Sequence, residues 1–197
     1  MNPQKSKKSL APKYFEDVYN AKDDPWDFAL SDYETAKYRV TLDALPAQTY
    51  ESAFEIGCSI GVLTARLAAR CESLLAVDVN EKALKQAENR CRNLPNVELR
   101  LLQIPEQFPA RKFDLILISE FGYYLSVEDW RKNFEKVVEH LKPQGNVVLV
   151  HWTPPVEDYP QTGDEVHDAF AAWSLNKLKL VKNLRAEKYR LDIWEKI

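Results

Sequence analysis

Glycine is scarce in this chain: Gly57, Gly61, Gly122, Gly145 and Gly163 are the only five in 197 residues. A chain so sparing with glycine tends to place it where backbone geometry demands it. Gly145, in Lys142-Pro143-Gln144-Gly145, reads as an ordinary turn. Cysteine is rarer still: Cys58, Cys71 and Cys91 form an odd set with no CxxC pair. That argues against a disulfide framework and against a structural zinc, and points to a reducing cytoplasm; no metal site is expected. Positive charge is not in excess. The formal net charge is −3, which offers no general attraction to nucleic acid or to an anionic membrane. The one basic cluster is Lys5, Lys7 and Lys8, in a polar tail over residues 1–11 that is expected to be disordered. No apolar run approaches the ~20 residues that span a bilayer, and the N-terminus lacks the apolar stretch of a signal peptide.

What is present is ordinary for a globular protein, with 45% hydrophobic and 29% charged residues. Pro12 to Asn20 reads as a short helix. A second helix, capped by Ser31 or Asp32, runs to about Leu45, where Pro46 stops it. A regular alternation then begins. Strands are expected at Ala53–Ile56, Leu74–Val77, Val97–Leu102, Phe113–Ser119 and Asn146–His151. Helices are expected at Gly61–Arg70, Glu81–Arg92 and Glu128–Leu141. The unbroken apolar run of the fourth strand, FDLILIS, suits burial on both faces. This alternation predicts βαβ units, a parallel sheet and right-handed crossovers. The end differs: Leu178–Arg185 and Tyr189–Glu195 are strand-like and separated by three residues, which permits a hairpin but not a crossover. With no repeat or linker, residues 12–197 form one domain, a helical cap over 12–49 and an α/β core over 50–197.

The stretch AFEIGCSIGVLT, residues 53–64, joins the first strand to its helix. Strand, small-residue loop and helix bind nucleotide-like ligands because the ligand can reach the backbone amides. The dinucleotide fingerprint GxGxxG is broken here: the spacing is Glu55-x-Gly57-x-Ser59-x-Gly61. A ligand without a phosphate needs no pyrophosphate cradle. Glu55 is placed to accept a hydrogen bond from an ammonium group or a bridging water. Asp78 ends the second strand, 21 positions after Gly57, where a carboxylate meets ribose hydroxyls. The third strand ends near Gln103 and Ile104, where an adenine edge would lie.

These residues resemble the S-adenosylmethionine (SAM) methyltransferases, whose first motif is ExGxGxG, with Ser59 in place of the middle glycine. EIGCSIGVLTARLAARC, AVDVNEKALKQA, FDLILISEFGYYL, VVLVHW and the upstream DPWDF and YETAKY are similar to the NodS-like subfamily, named for a nodulation N-methyltransferase. The resemblance covers roughly Trp26 to His167. It implies a Rossmann-like class I methyltransferase fold, a mostly parallel seven-stranded sheet closed by an antiparallel hairpin. The implied cofactor is SAM, released as S-adenosylhomocysteine (SAH). The implied cofactor-binding set is Trp26, Tyr33, Lys37, Glu55, Gly57, Ser59, Gly61, Asp78, Val79, Gln103, Ile104 and Glu120. Trp26, Tyr33 and Lys37 fall where this subfamily places a lid, with Lys37 matching a basic position that would pair with the methionine carboxylate. The alternative for Trp26 and Tyr33 is that they pin the cap to the core.

Methyl transfer requires an aligned acceptor with a free lone pair. Groups for that work belong at the carboxyl ends of the strands. Glu120 and Tyr123 follow the fourth strand, His151 ends the fifth, and His167 closes the polar segment after it. These four form the expected catalytic set, converging on the cleft. Each has a plainer reading: His151 as a satisfied strand-end histidine, His167 on an exposed helix capped from Thr162 or Asp164, Glu120 bonded to backbone. Adjacent Tyr123 and Tyr124 cannot share a face, so one packs while the other faces the cleft. His140 reads as a helix C-terminal histidine, and Trp130, Trp173 and Trp194 as structural anchors. The function expected is methylation of a small-molecule amine, such as an amino sugar or polyamine-like compound. The alternatives are a hydroxyl acceptor, or a SAM-binding module without catalysis. NAD chemistry is disfavoured by the glycine spacing. Nucleic acid is disfavoured by charge and by Glu120-Phe121-Gly122-Tyr123 where an Asn/Asp-Pro-Pro-aromatic motif would stand.

Overall fold

The computed structural model describes residues 8–197. Lys5, Lys7 and most of the expected disordered tail lie outside the described residues. Ser9 and Leu10 are held against the core: Leu10 N donates to the Tyr124 carbonyl at 2.8 Å, and Ser9 Oγ donates to Asp129 Oδ2 at 2.6 Å.

Two helices precede the sheet, α1 (Pro12–Ala21) and α2 (Asp32–Ala44). Pro12 at the first turn suits the fixed φ of a helix start. Ser31 caps α2, accepting from Glu34 N at 3.3 Å. The strands are β1 (Ala53–Ile56), β2 (Leu74–Asp78), β3 (Val97–Leu101), β4 (Phe113–Ser119), β5 (Leu141–Trp152), β6 (Leu178–Arg185) and β7 (Tyr189–Lys196). Between them lie α3 (Val62–Leu67), α4 (Glu81–Cys91), α5 (Val127–His140) and α6 (Gly163–Trp173). The sheet order is β3-β2-β1-β4-β5-β7-β6. The first five strands run parallel, and β7 pairs antiparallel with both β5 and β6. The parallel α/β sheet with a closing hairpin is therefore as read from the sequence. β5 starts five residues earlier than expected, and α3 is shorter, ending in a single 3-10 turn over Ala68–Arg70.

Strand alternation divides the core between the two faces of the sheet. Leu115, Leu117, Val148, Val150, Leu191 and Ile193 pack with Tyr38, Leu63 and Leu67 from the side of α2 and α3. Ile116, Ile118, Val147 and Leu149 pack with Trp130, Phe134, Val166 and Phe170 from α5 and α6. By the same parity, His151 shares the face of Val147 and Leu149, the face that α6 covers.

The strand order reverses between β1 and β4, which are neighbours in register Ile56 to Ile118. At such a switch point the connections leave the two strands in opposite directions and open a crevice at the carboxyl edge.

Candidate functional site

The loop after β1 adopts left-handed backbone three times, at Gly57 (φ +80), Ser59 (φ +51) and Gly61 (φ +76). The amides of Gly57 and Cys58 both donate to the Val77 carbonyl at 2.9 Å, which ties the loop to β2. A Cβ on Gly57 would lie 3.4 Å from Phe121 Cβ, so the loop and the segment after β4 approach across the crevice. Gly61 serves a different end from the one expected. It does not line the cleft, and a Cβ there would meet Ala87 Cβ at 2.8 Å. Its lack of a side chain lets α3 pack closely on α4.

Asp78 anchors the loop from β2. Its Oδ2 accepts from Ser59 N at 2.9 Å and its Oδ1 from Asn80 N at 2.9 Å. Burial pushes the carboxyl up, and the backbone donors from Asn80, Ser59 and Val79 pull it back. Asn80 in turn caps α4 through Ala83 N. Tyr19, on α1, meets Ser59 Oγ through its hydroxyl at 2.5 Å.

These groups form one end of a cleft that opens to solvent. Gly57, Ser59, Asp78 and Val79 make its floor, Gln103 and Ile104 one wall, Glu120, Phe121 and Tyr124 the other. Trp26, stacked on Phe28 with centroids 5.6 Å apart, covers it from the N-terminal side. A smaller recess adjoins, sharing Phe28, Gly57, Ser59 and Glu120 and reaching Glu55. Glu55 is 2% exposed, and its Oε2 is buried without a partner. Burial, with Asp78 adding repulsion, pushes its carboxyl up to about 8.

Glu120 stands at the cleft wall with φ +54, a conformation that strains a residue with a Cβ. Its Oε1 accepts from Lys37 Nζ at 2.5 Å; its Oε2 accepts from Tyr123 OH at 2.6 Å and from Trp152 N at 2.9 Å. Lys37 also donates to Glu34 Oε1 at 2.8 Å. Burial opposes the ammonium charge, yet Glu120 and Glu34 more than offset it and hold the group well above its ordinary value. Lys37 is 2% exposed and does not line the cleft. The expected pairing of Lys37 with a cofactor carboxylate is thus replaced by a pairing that holds Glu120. Tyr33 is also off the cleft: it packs edge-on against Trp152 and Tyr189, as the pinning alternative has it.

The two tyrosines divide as expected but in the opposite sense. Tyr124 lines the cleft, while Tyr123 is buried, stacked on Tyr159 at 4.9 Å, and reaches Glu120 from behind.

The expected convergence of His151 and His167 on the cleft does not occur. Both are 0% exposed. His151 Nε2 accepts from Gly122 N at 3.0 Å, and its Nδ1 lies 3.0 Å from His167 Nε2. His167 Nδ1 lies 2.7 Å from Asp192 Oδ2. Every ring nitrogen is taken by an internal partner. Burial, then the neighbouring His167 and Lys37, drive His151 well below its ordinary value; burial also lowers His167, against the pull of Asp192. The helix that carries His167 is capped by Thr162, but it faces the core. The polar segment before it is partly core as well: Gln161 is buried and donates to the Leu125 carbonyl at 2.8 Å.

Sequence reasoning missed Tyr19, Phe28 and Phe121 in the cleft lining, and Leu10 and Phe15 with them. Phe121 was within reach, because it follows Glu120 at a strand end. Tyr19 and Leu10 carry no local signal, since their place depends on how α1 docks.

The arrangement matches known proteins. The family profile described as Nodulation protein S (NodS) matches residues 13–154. Nodulation protein S of Bradyrhizobium diazoefficiens is 30% identical over 131 residues, 66% of this chain and 63% of that protein. Nodulation protein S of Rhizobium tropici is 27% identical over 131 residues, 66% of this chain and 55% of that protein. The match thus spans little more than half the length of these relatives. Among solved structures, a putative methyltransferase from Pseudomonas syringae superposes with a TM-score of 0.73 at 32% identity, over 83% of this chain and 99% of that one. N-methyltransferase NodS from Bradyrhizobium japonicum WM9, in complex with SAH, gives a TM-score of 0.80 at 23% identity, over 93% and 97%. With the profile covering most of its length, the chain belongs to the NodS family.

Proposed function

We propose that the protein is a SAM-dependent methyltransferase acting on a small-molecule amine. One observation carries the reading. The Gly57 loop, Asp78 at the end of β2 and the unpartnered Glu55 oxygen in the adjoining recess suit a nucleoside with a cationic tail and no phosphate. The residues fit the cofactor at each part. Asp78 keeps lone pairs beyond its two backbone donors for ribose hydroxyls. Gln103 and Ile104 would flank the adenine edge, and Trp26 would cover the site. Glu55 would receive the ammonium of the methionine part, and the glycine at position 57 keeps a side chain out of the floor.

When bound, SAM supplies the electrophilic methyl group. The chain's part is binding, orientation and exclusion of water. Glu120, fixed by Lys37, Tyr123 and the Trp152 amide, presents its carboxylate to the cleft wall. There it holds an amine N–H and orients the nitrogen lone pair. The surrounding faces of Trp26, Phe28, Phe121 and Tyr124 favour a cationic ligand. Nitrogen is preferred to oxygen for a structural reason. A hydroxyl acceptor needs a free base in the cleft; both histidines that might serve are sealed from it, and the Glu120 carboxylate is already paired with Lys37, Tyr123 and the Trp152 amide, which makes it a poor proton acceptor. An amine needs only its neutral fraction.

The reading includes a single domain with α1 and α2 as its cap, and a reducing cytoplasm, which suits three free buried cysteines. Among the described residues no helix is long and apolar enough to cross a membrane. The experiment is a screen of amine-bearing and hydroxyl-bearing metabolites, amino sugars among them, with methyl-labelled SAM. Transfer to amines supports the reading; transfer only to hydroxyls refutes the nitrogen assignment.

A further inference from the structure

The segment after β4 forms a cleft wall in a strained conformation, with Glu120 left-handed and Phe121 facing Gly57. Such strain persists only where the surroundings over-determine it. Lys37, Tyr123 and the Trp152 amide fix the Glu120 side chain. The backbone beyond it closes a turn, Tyr124 N donating to the Phe121 carbonyl and Leu125 N to the Gly122 carbonyl, and it is tied to the core beneath by a bond of another kind, from Gly122 N–H to His151 Nε2 at 3.0 Å. The fit there is close: a Cβ on Gly122 would lie 2.6 Å from Val166 Cγ1 and 3.1 Å from His151 Nε2.

An amide can only donate, so His151 Nε2 carries no proton. The neutral ring then has its proton on Nδ1, which donates to His167 Nε2. His167 Nε2 is therefore the acceptor, and its proton sits on Nδ1, donating to Asp192 Oδ2. Asp192, 0% exposed on β7, forms an ion pair with Arg190, Nε lying 3.0 Å from Oδ2, and its Oδ1 accepts from the Asn183 side-chain amide on β6. One carboxylate thereby sets the tautomer of one ring, and that ring sets the next. We propose that Asp192, His167 and His151 are a buried tautomer relay that positions the Glu120–Phe121 cleft wall through the Gly122 amide. None of the three is a catalytic residue, because none reaches the cleft. The relay's bearing on the cofactor rests on the methyltransferase reading; its hydrogen bonds do not.

The groups facing the relay are consistent with neutral rings. Lys37 of α2 adds a positive charge near His151. Glu120 and Tyr123 bind one another beside it. At His167, Asp164 of α6 and Arg190 of β7 act in opposite directions, and Arg190 also pairs with Asp164 and Asp168. A proton on His151 Nε2 would set two donors against each other at Gly122 and release the wall.

Two measurements test this. Imidazole nitrogen NMR of the intact protein at neutral pH should show His151 protonated at Nδ1 only, with a through-hydrogen-bond coupling from its Nε2 to the Gly122 amide nitrogen. A ring protonated at Nε2 overturns the relay. SAH binding and Gly122 amide exchange are then compared in His151→Gln and His151→Leu. The glutamine oxygen reaches the Nε2 position and accepts from the amide; leucine cannot. Glutamine should keep SAH affinity within about threefold, whereas leucine should lose about tenfold or more and speed Gly122 exchange by a like factor. Equal behaviour of two folded variants refutes positioning. Should the leucine variant not fold, His167→Leu, which touches no cleft residue, should speed Gly122 exchange; unchanged exchange refutes the relay. If the wild-type protein binds no SAH, the methyltransferase reading fails, and the NMR and exchange results still decide the relay.

Discussion

Replacing Asp78 with asparagine separates the two tasks that the structure gives this carboxylate. Its oxygens each accept one backbone amide, from Ser59 and from Asn80, at 2.9 Å. Asparagine has a single oxygen, so its NH2 group must face one of those amides. One charge-assisted bond is lost, at a cost of about 1.5–3 kcal/mol. For a domain of this size that lowers Tm by roughly 3–12 °C. The ribose hydroxyls lose a charged acceptor at the same time, which weakens SAM and SAH by another ~1.5–3 kcal/mol, about tenfold to 150-fold. Calorimetry on the folded variant, at a temperature well below its Tm, reads the second effect alone. A folded Asp78→Asn protein with unchanged SAH affinity would show that Asp78 organises the loop and does not touch the ligand. A lost affinity with unchanged Tm would show the reverse, and would mean that the two backbone bonds contribute little.

Other substitutions probe the same site. Gly57→Val should abolish SAH binding in titration calorimetry, since a branched side chain at φ +80 is strained and would crowd Phe121; retained affinity would reduce the loop to a turn. Lys37→Met should leave Glu34 and Glu120 buried without their cation, destabilising the protein by about 3–5 kcal/mol in urea unfolding; a change below 1 kcal/mol, on the order of a surface pair, would contradict the buried cluster. Glu55 gives a pH signature. Its folded value is raised to about 8, so the folded state keeps a proton that the unfolded state releases above its ordinary ~4.3. Stability conferred on the proton-bound form is therefore lost as pH rises from there towards 8, by up to about 1.4 kcal/mol per pH unit. Glu55→Gln lacks that slope, so its stability relative to the wild type should climb across the window while its SAH affinity falls. Parallel curves would refute a raised carboxyl.

The sheet was legible because β1, β2, β4 and β5 are short apolar runs with breakers between them, and two strands three residues apart have no room for a crossover. Gly57 and Asp78 were legible for a related reason: their place follows from strand ends, which the sequence marks. Lys37 was not. Its i,i+3 neighbour Glu34 was visible, but its second partner, Glu120, lies 83 positions away and meets it only when α2 docks. The histidines failed on faces. His151 has the parity of Val147 and Leu149, and His167 shares an apolar helix stripe with Val166 and Phe170. Both patterns said buried, but a place at the carboxyl edge of the sheet suggested the cleft. What decides between them is that α6 lies over this end of β5, a tertiary fact with no local signal. Gly61 matched a motif position and turned out to serve helix packing against Ala87.

Whether this cleft holds SAM rather than a dinucleotide is decided by titration calorimetry of the wild-type protein with SAM, SAH and NAD. SAM and SAH should each bind saturably, one to one, and NAD should give no heat of binding. Tight NAD binding with no response to SAM or SAH would contradict the assignment of SAM to this cleft.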